Sequence, residues 1–276
     1  EQETGQSVGF HQTGYLYLAQ SDERAHQLRI SAAKARQFHG VEFHEISLKE
    51  AAEKHPFVNF DGIQIAVWES ESGHVDVNGV THAYAQAARN RGVTIERFCP
   101  VLETNQRADG GWDVVTPQGT IRAEQVVNAA GYYAQRVGEW FKPYGGRTVP
   151  MMVMSHQYML TDEIPELEAW TKENGKLPLL RDVDTSYYLR QEKTGFNLGP
   201  YERNCKAHWI DPSDPMPEDF SFQLYPDDLD RLEFYIEDAM ARVPALGTVG
   251  VSKVINGPIP YAPDGLPLMG PMPGVK

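Results

Sequence analysis

The run Val127-Asn128-Ala129-Ala130-Gly131 carries the most chemical information in this chain. An apolar segment ending on small residues lets backbone approach something closely, and a helix is expected to open at once at Tyr132. Helix N-termini present free N–H groups and a partial positive charge, which suits a phosphate. Tight strand–helix packing with no ligand produces the same pattern, and the residues leave both readings open. Other candidate sets are incomplete. Gly5-Gln6-Ser7-Val8-Gly9 spells G-x-S-x-G, but a nucleophile elbow needs a strand before it, and only Glu1 to Thr4 precede this one. His39 with His44, and His74 with Asp76 and His82, do not have the spacing that stacks two ligands on one helix face, so surface or capping roles are expected. The carboxylates between Asp211 and Asp219 read as a solvated loop. No P-loop and no G-x-G-x-x-G occurs. Side-chain chemistry alone shows no complete catalytic set.

The composition narrows the classes. A chain of 276 residues with 41% apolar and 23% charged residues can fill a sizeable core in one large or two small domains. A net charge of −13 with no basic cluster argues against nucleic acid and against anionic lipid. No window approaches the ~20 consecutive apolar residues of a membrane-spanning helix, and the opening EQETGQSVGF does not read as a signal peptide. The two cysteines, Cys99 and Cys205, suit a reducing, cytoplasmic compartment and exclude a Cys-based zinc site.

Elements that would position these residues follow from periodicity. Strands are expected over residues 14–19, 41–46 and 62–68, with a helix from the Ser21-Asp22 cap to Gly40 and a short capped helix at Ser47. Asp76 should cap an amphipathic helix ended by Gly92, and residues 93–98 should follow as a strand, giving half of a βαβ crossover. A meander over 101–106, 112–116 and 120–122 comes next, with turns at Asp109-Gly110-Gly111 and Gln118-Gly119. A buried strand over 125–131 should feed a helix over 132–141. Past Gly145-Gly146 the pattern turns to strands over 149–160, 186–190 and 196–201, with an acidic helix near 162–170. Asp227 should cap a helix to Arg242, and the tail 256–267 is too rich in proline for a central strand.

Several strings resemble one family in order and spacing. Asp113-Val114-Val115-Thr116-Pro117-Gln118-Gly119, Val127 to Gly131, Ser155-His156-Gln157-Tyr158 and Leu179-Leu180-Arg181-Asp182 look like the dimethylglycine and sarcosine dehydrogenases. Ser186 to Glu192, Gly199-Pro200-Tyr201-Glu202, Asn256-Gly257-Pro258 and Tyr261-Ala262-Pro263-Asp264 extend the match. These enzymes belong to a wider group of flavin amine oxidases that resembles D-amino-acid oxidase. The resemblance implies an α/β (α+β) fold: a partial FAD-binding Rossmann-like domain interleaved with an antiparallel-sheet substrate domain. Its division would be residues 1–72 and 147–256 for the substrate domain, 73–146 for the FAD-binding part and 257–276 as a return segment. It implies FAD along Val101, Ala130, Gly131 and Tyr133, with His156 and Tyr187 facing the substrate. A cation for the substrate carboxylate is also implied, either Arg190 or a residue outside the chain. The family's Gly-rich first turn and its FAD-bearing histidine would precede residue 1, so the chain reads as an internal piece of a flavoprotein. The implied reaction is oxidation of an N-methyl glycine derivative by hydride transfer to flavin, with folate as a further partner through a module not in this chain. A mitochondrial matrix location would apply in a eukaryote. A glycine- or D-amino-acid-oxidase-like enzyme, or a non-catalytic interaction module, is the alternative.

Overall fold

The computed structural model describes residues 1–211 and 213–275. In chain order its elements begin with β1 (Tyr15–Ala19), α1 (Asp22–Lys34), β2 (Phe43–Ile46), α2 (Leu48–Lys54), β3 (Ile65–Glu69) and α3 (Val77–Asn90). The middle holds β4 (Glu103–Gln106), β5 (Trp112–Thr116), β6 (Gly119–Ala123), α4 (Ala134–Glu139), β7 (Met152–Thr161) and α5 (Pro165–Asn174). The chain closes with β8 (Leu179–Asp182), β9 (Tyr187–Glu192), β10 (Gly195–Pro200), β11 (Ala207–His208), α6 (Glu233–Arg242) and β12 (Val251–Tyr261). These divide into one unit of residues 1–93, 157–204 and 226–256 and a second of 94–156, 205–225 and 257–276.

The first unit is built on a mixed sheet in which β10, β9, β8, β1, β3 and β2 are successive neighbours. Every pairing among them is antiparallel except β1 with β8, which run parallel. Period-two alternation sorts the faces. Leu16, Leu18, Leu180, Leu189 and Leu198 point to one side and form a core with Ile164 and Leu167 from the α5 region and Leu232, Ala239 and Val243 from the α6 region. On the other side α1 covers only one end of the sheet, where its Ala25, Leu28 and Ala32 pack on Phe43, Ile65 and Val67. Capping is as the sequence reads: Ser21, Ser47 and Asp76 accept from backbone N–H groups of the first turns of α1, α2 and α3. Pro165 opens α5, a position where its missing N–H costs nothing.

His55, beside the end of α2, is buried in this core, its ring 6.4 Å from that of Phe196, and burial pushes its pKa down to about 4. The unfolded chain protonates near 6.5, so the stability tied to neutral His55 is present above pH 6.5 and lost as pH falls from there towards 4. The loss is about 3 kcal/mol. His55→Leu should flatten this part of the pH dependence of the urea midpoint, and a variant that keeps the full wild-type slope would disprove the assignment.

The second unit holds the meander β4–β5–β6, with Val114 opposite Thr104 on one strand and Ile121 on the other. Trp112 is buried edge-on against Phe141 and Tyr144, at 5.1 and 5.3 Å between ring centroids. The structure departs from the sequence reading at several places. Residues 94–98 and 125–130 form no strand, because a strand exists only through a ladder and no described strand runs beside either. Their apolar side chains are left outside, Phe98 and Val127 most of all. The helix expected over 132–141 is a 3-10 turn, Gly131–Tyr133, followed by the short α4. In the first unit the helix expected from Asp227 begins at Glu233, after a 3-10 turn at Leu229–Arg231. Asp228 is engaged there by Gln157, which accepts its N–H, and by Arg231 at 2.9 Å. The prolines at 258 and 260 lie within β12, whose partner among the described strands is β7.

Candidate functional site

The part of the first unit's sheet that α1 leaves uncovered carries aromatic and cationic side chains. Leu180 faces the core, so Arg181 must face away from it, and the ladder sets Arg181 beside Tyr188. Tyr188 in turn lies opposite Gly199. A side chain at Gly199 would fall inside the Tyr188 ring, so only glycine lets that ring lie across β10. Tyr201 stands over the pair: the Arg181 guanidinium carbon is 4.0 Å from its ring centroid, and the Tyr188 ring meets it edge-on at 6.0 Å. Tyr15 and Tyr17 alternate with Leu16 and Leu18 on β1 and so share this face. Burial pushes the Tyr15 hydroxyl up to about 12 against the opposing pull of Arg181.

Tyr187 sits on the opposite face. It is fully buried among Leu16, Leu18, Leu189 and Phe196, and among the described residues its hydroxyl has no hydrogen-bond partner. Burial, then the nearby Asp182 and Asp238 carboxylates, push its pKa up. Asp182 organises the turn that leads into Tyr187. One carboxylate oxygen accepts the N–H groups of Asp184 and Thr185, both at 3.0 Å, and the other accepts from Gln20 at 2.9 Å. Arg242 approaches that second oxygen at 3.7 Å and donates to the carbonyls of Asn59 and Asp61. Burial still raises the Asp182 pKa, with Thr185, Gln20 and Arg242 working against the shift. Arg190, one of the cations weighed for a carboxylate, is held by Glu192 at 2.5 Å.

In the second unit His156 is half-buried on β7. Its neighbour Ser155 donates its N–H to the carbonyl of Lys206 at 2.8 Å, which fixes the alternation of the strand. Gly131 adopts φ +57°, a left-handed conformation that favours glycine, and space around its absent side chain is open. Asn128 holds the turn before it, accepting the N–H of Ala130 and donating to the carbonyl of Ala134. Tyr133 donates its hydroxyl to the carbonyl of Phe220. Val101 is exposed, and neither its N–H nor its carbonyl is bonded among the described residues. No group of His, Cys, Asp and Glu among the described residues could hold a metal ion, and no described helix is long and apolar enough to cross a membrane.

Comparison with known proteins gives this geometry a setting. A sequence model described as FAD dependent oxidoreductase matches residues 1–276. The chain belongs to that family. It is 40% identical over 280 aligned residues to the mitochondrial dimethylglycine dehydrogenase of Rattus norvegicus, which covers 100% of this chain and 32% of the relative. It is 31% identical to the mitochondrial sarcosine dehydrogenase of Mus musculus, covering 100% of this chain and 29% of that protein. The chain thus spans about a third of the length of these curated relatives. The solved structure of L-proline dehydrogenase from P. horikoshii superposes with a TM-score of 0.76 at 22% identity, over 97% of this chain and 66% of the other, and shares its fold. The expected α/β class and the resemblance to the dehydrogenase family are both borne out, with the correction that the large sheet is mixed rather than antiparallel.

The strings containing Arg181 and Tyr201 carry the family resemblance, but nothing in them alone gives these two residues a role. Their signal was present: in Leu-Leu-Arg-Asp, period two sets Arg181 opposite to Leu180 and Asp182. What the sequence lacked was the register that brings Arg181, Tyr188 and Tyr201 together.

Proposed function

We propose that this chain is the part of an FAD-dependent dehydrogenase that positions and oxidises an N-methyl glycine derivative, dimethylglycine or sarcosine. The observation that carries the reading is the match along the whole chain to dimethylglycine dehydrogenase, stronger than that to sarcosine dehydrogenase. The second unit would belong to the FAD-binding domain and the first to the substrate domain. The residues present fit the cofactor: Gly131 leaves open space, and Val101 offers an unbonded backbone N–H and carbonyl. Ala130 and Tyr133 would complete that wall. Held along Val101, Ala130, Gly131 and Tyr133, bound FAD would supply the hydride acceptor for the substrate's methyl carbon.

The protein's own groups bind, orient and move a proton. His156 is the proposed acceptor of the amine proton, a task suited to imidazole near neutral pH. One hydroxyl of the Tyr187–Tyr188 pair would orient the substrate. The resemblance names Tyr187, whereas alternation on β9 favours Tyr188, whose ring lies on the face away from the core, beside Tyr201. Transfer of the one-carbon unit to folate and a matrix location in a eukaryote complete the proposal.

Anaerobic mixing of the flavin-loaded protein with dimethylglycine, sarcosine or glycine tests it. Bleaching by the two N-methyl substrates and not by glycine is expected. A flavin that none of them reduces would favour a non-catalytic module. Within the same assay Tyr188→Phe should slow reduction about 10-fold, the scale of one orienting hydrogen bond. Tyr187→Phe, which removes an unpartnered hydroxyl from the core, should leave the rate alone, and the reverse pattern would return the role to Tyr187.

A further inference from the structure

We infer that Glu202 is a positioning residue for His156, holding β7 at the peptide that follows the histidine, an assignment that rests on the role proposed for His156 above. β7 changes partners along its length. It pairs with β10 at Met159 and Leu160 and with β11 at Val153 and Met154. His156 stands between those two ladders, beside the connection 201–206, which is not a strand. From that connection the carbonyl of Lys206 accepts the N–H of Ser155 at 2.8 Å, and the Glu202 carboxylate accepts that of Gln157 at 3.1 Å. A strand keeps its course through its ladder. At Gln157 a side chain therefore does what a backbone carbonyl does elsewhere.

The carboxylate is itself held in one position. Its side chain is 2% exposed, and the oxygen not used by Gln157 lies 3.3 Å from the Arg231 guanidinium. Arg231 is fixed in turn by Asp228 at 2.9 Å. Gln157 closes the ring: its side-chain amide donates to the carbonyl of Asp228 at 3.0 Å and accepts the Asp228 N–H at 2.9 Å. The residue after Glu202 is anchored too, the N–H of Arg203 donating to the Tyr235 hydroxyl at 2.8 Å. Taking such charges out of water gains little stability over apolar side chains of the same volume. What the ring supplies is geometry, since it fixes both the main chain and the side chain of Gln157. Ser155 and Gln157 are fully buried, so alternation turns His156 to the opposite face of β7. With Gln157 unable to shift or twist, the direction in which the His156 imidazole leaves the strand is set. Proton transfer needs that precision: it works over heavy-atom separations of about 2.6–3.2 Å, and a misplacement of ~1 Å costs up to about 100-fold in rate.

The test compares E202A and E202Q with wild type, each with and without His156→Ala, in the flavin-loaded protein that carries this chain. Three readouts are taken: the limiting rate of flavin reduction by dimethylglycine with its KM, thermal melting, and the imidazole nitrogen resonances of His156, identified as those that His156→Ala removes. E202A should lower the limiting rate about 10-fold with KM little changed, and should displace the His156 resonances. E202Q keeps an acceptor for the Gln157 N–H without the charge, and should restore most of the rate and the resonance positions. In the His156→Ala background E202A should cost no further rate, although it lowers the melting temperature in both backgrounds. That non-additivity marks a residue that acts through another. R231Q, which loosens the carboxylate but leaves it in place, serves where E202A does not fold, and should slow reduction only while His156 is present. A wild-type rate in E202A, or the same loss with and without His156, would overturn the assignment. If wild type reduces no flavin with dimethylglycine, or His156→Ala is as fast as wild type, the functional reading falls. The resonances then decide alone: signals unmoved in E202A overturn the positioning role, and signals displaced in E202A and returned in E202Q uphold it.

Discussion

His156→Ala is expected to slow reduction of the bound flavin by dimethylglycine about 100-fold, the scale of a lost general base. An amine yields hydride from its methyl carbon only while its nitrogen lone pair is available, so a group that holds the amine proton elsewhere acts directly on the rate. The loss should fall on the chemical step and not on folding. Ser155 and Gln157, on either side, are fully buried and anchor β7 through their own bonds, Ser155 to Lys206 and Gln157 to Glu202 and Asp228. His156 is only half-buried, and its removal opens no core cavity. Stopped-flow reduction and thermal melting on the same samples separate the possibilities. A normal reduction rate with a lowered melting temperature would make His156 a packing residue and withdraw its assigned role.

Local signals in the chain translated into structure wherever a segment could satisfy its own hydrogen bonds or pair with a near neighbour. Asp76 with the apolar face of α3, the Ser21 and Ser47 caps, and the hairpins at Asp109 and Gln118 are of this kind. Residues 94–98 and 125–130 failed for a different reason. Their apolar runs read as buried strands, but a run becomes a strand only beside a partner, and none is present among the described residues. The candidate site was half visible. His156, Tyr187 and the turn before Gly131 stood out through the family pattern. Tyr201 and Arg181 did not, because their contact depends on the register across β8, β9 and β10, which sets Arg181 beside Tyr188 and Tyr188 opposite Gly199. The choice between Tyr187 and Tyr188 shows the same limit, since adjacent residues of one strand always face opposite ways and only the position of the core selects between them.

Asp182→Ala should cost about 3–5 kcal/mol, more than any single truncation of an aliphatic side chain at the surface of this sheet. The carboxylate is fully buried, and removing it strands the N–H groups of Asp184 and Thr185, the amide of Gln20 and the guanidinium of Arg242. Asp182→Asn keeps an acceptor for the turn and should cost less. The pH dependence identifies the cause. Because burial raises the Asp182 pKa in the fold, its contribution is fully present below the unfolded value of ~3.9 and declines as pH rises through the folded value. The stability advantage of wild type over Asp182→Asn should therefore shrink between pH 4 and pH 7, as read from urea midpoints; an advantage that grows with pH would mean the carboxylate is stabilised as an anion. The turn that Asp182 closes runs from Arg181 to Tyr187 and Tyr188, so its loss should reach the uncovered face as well. In the fraction of Asp182→Ala that still folds, KM for dimethylglycine should rise, because the turn no longer sets the position of Tyr188 on β9. An unchanged KM beside a large stability loss would show that the turn supports the fold and leaves the face in place.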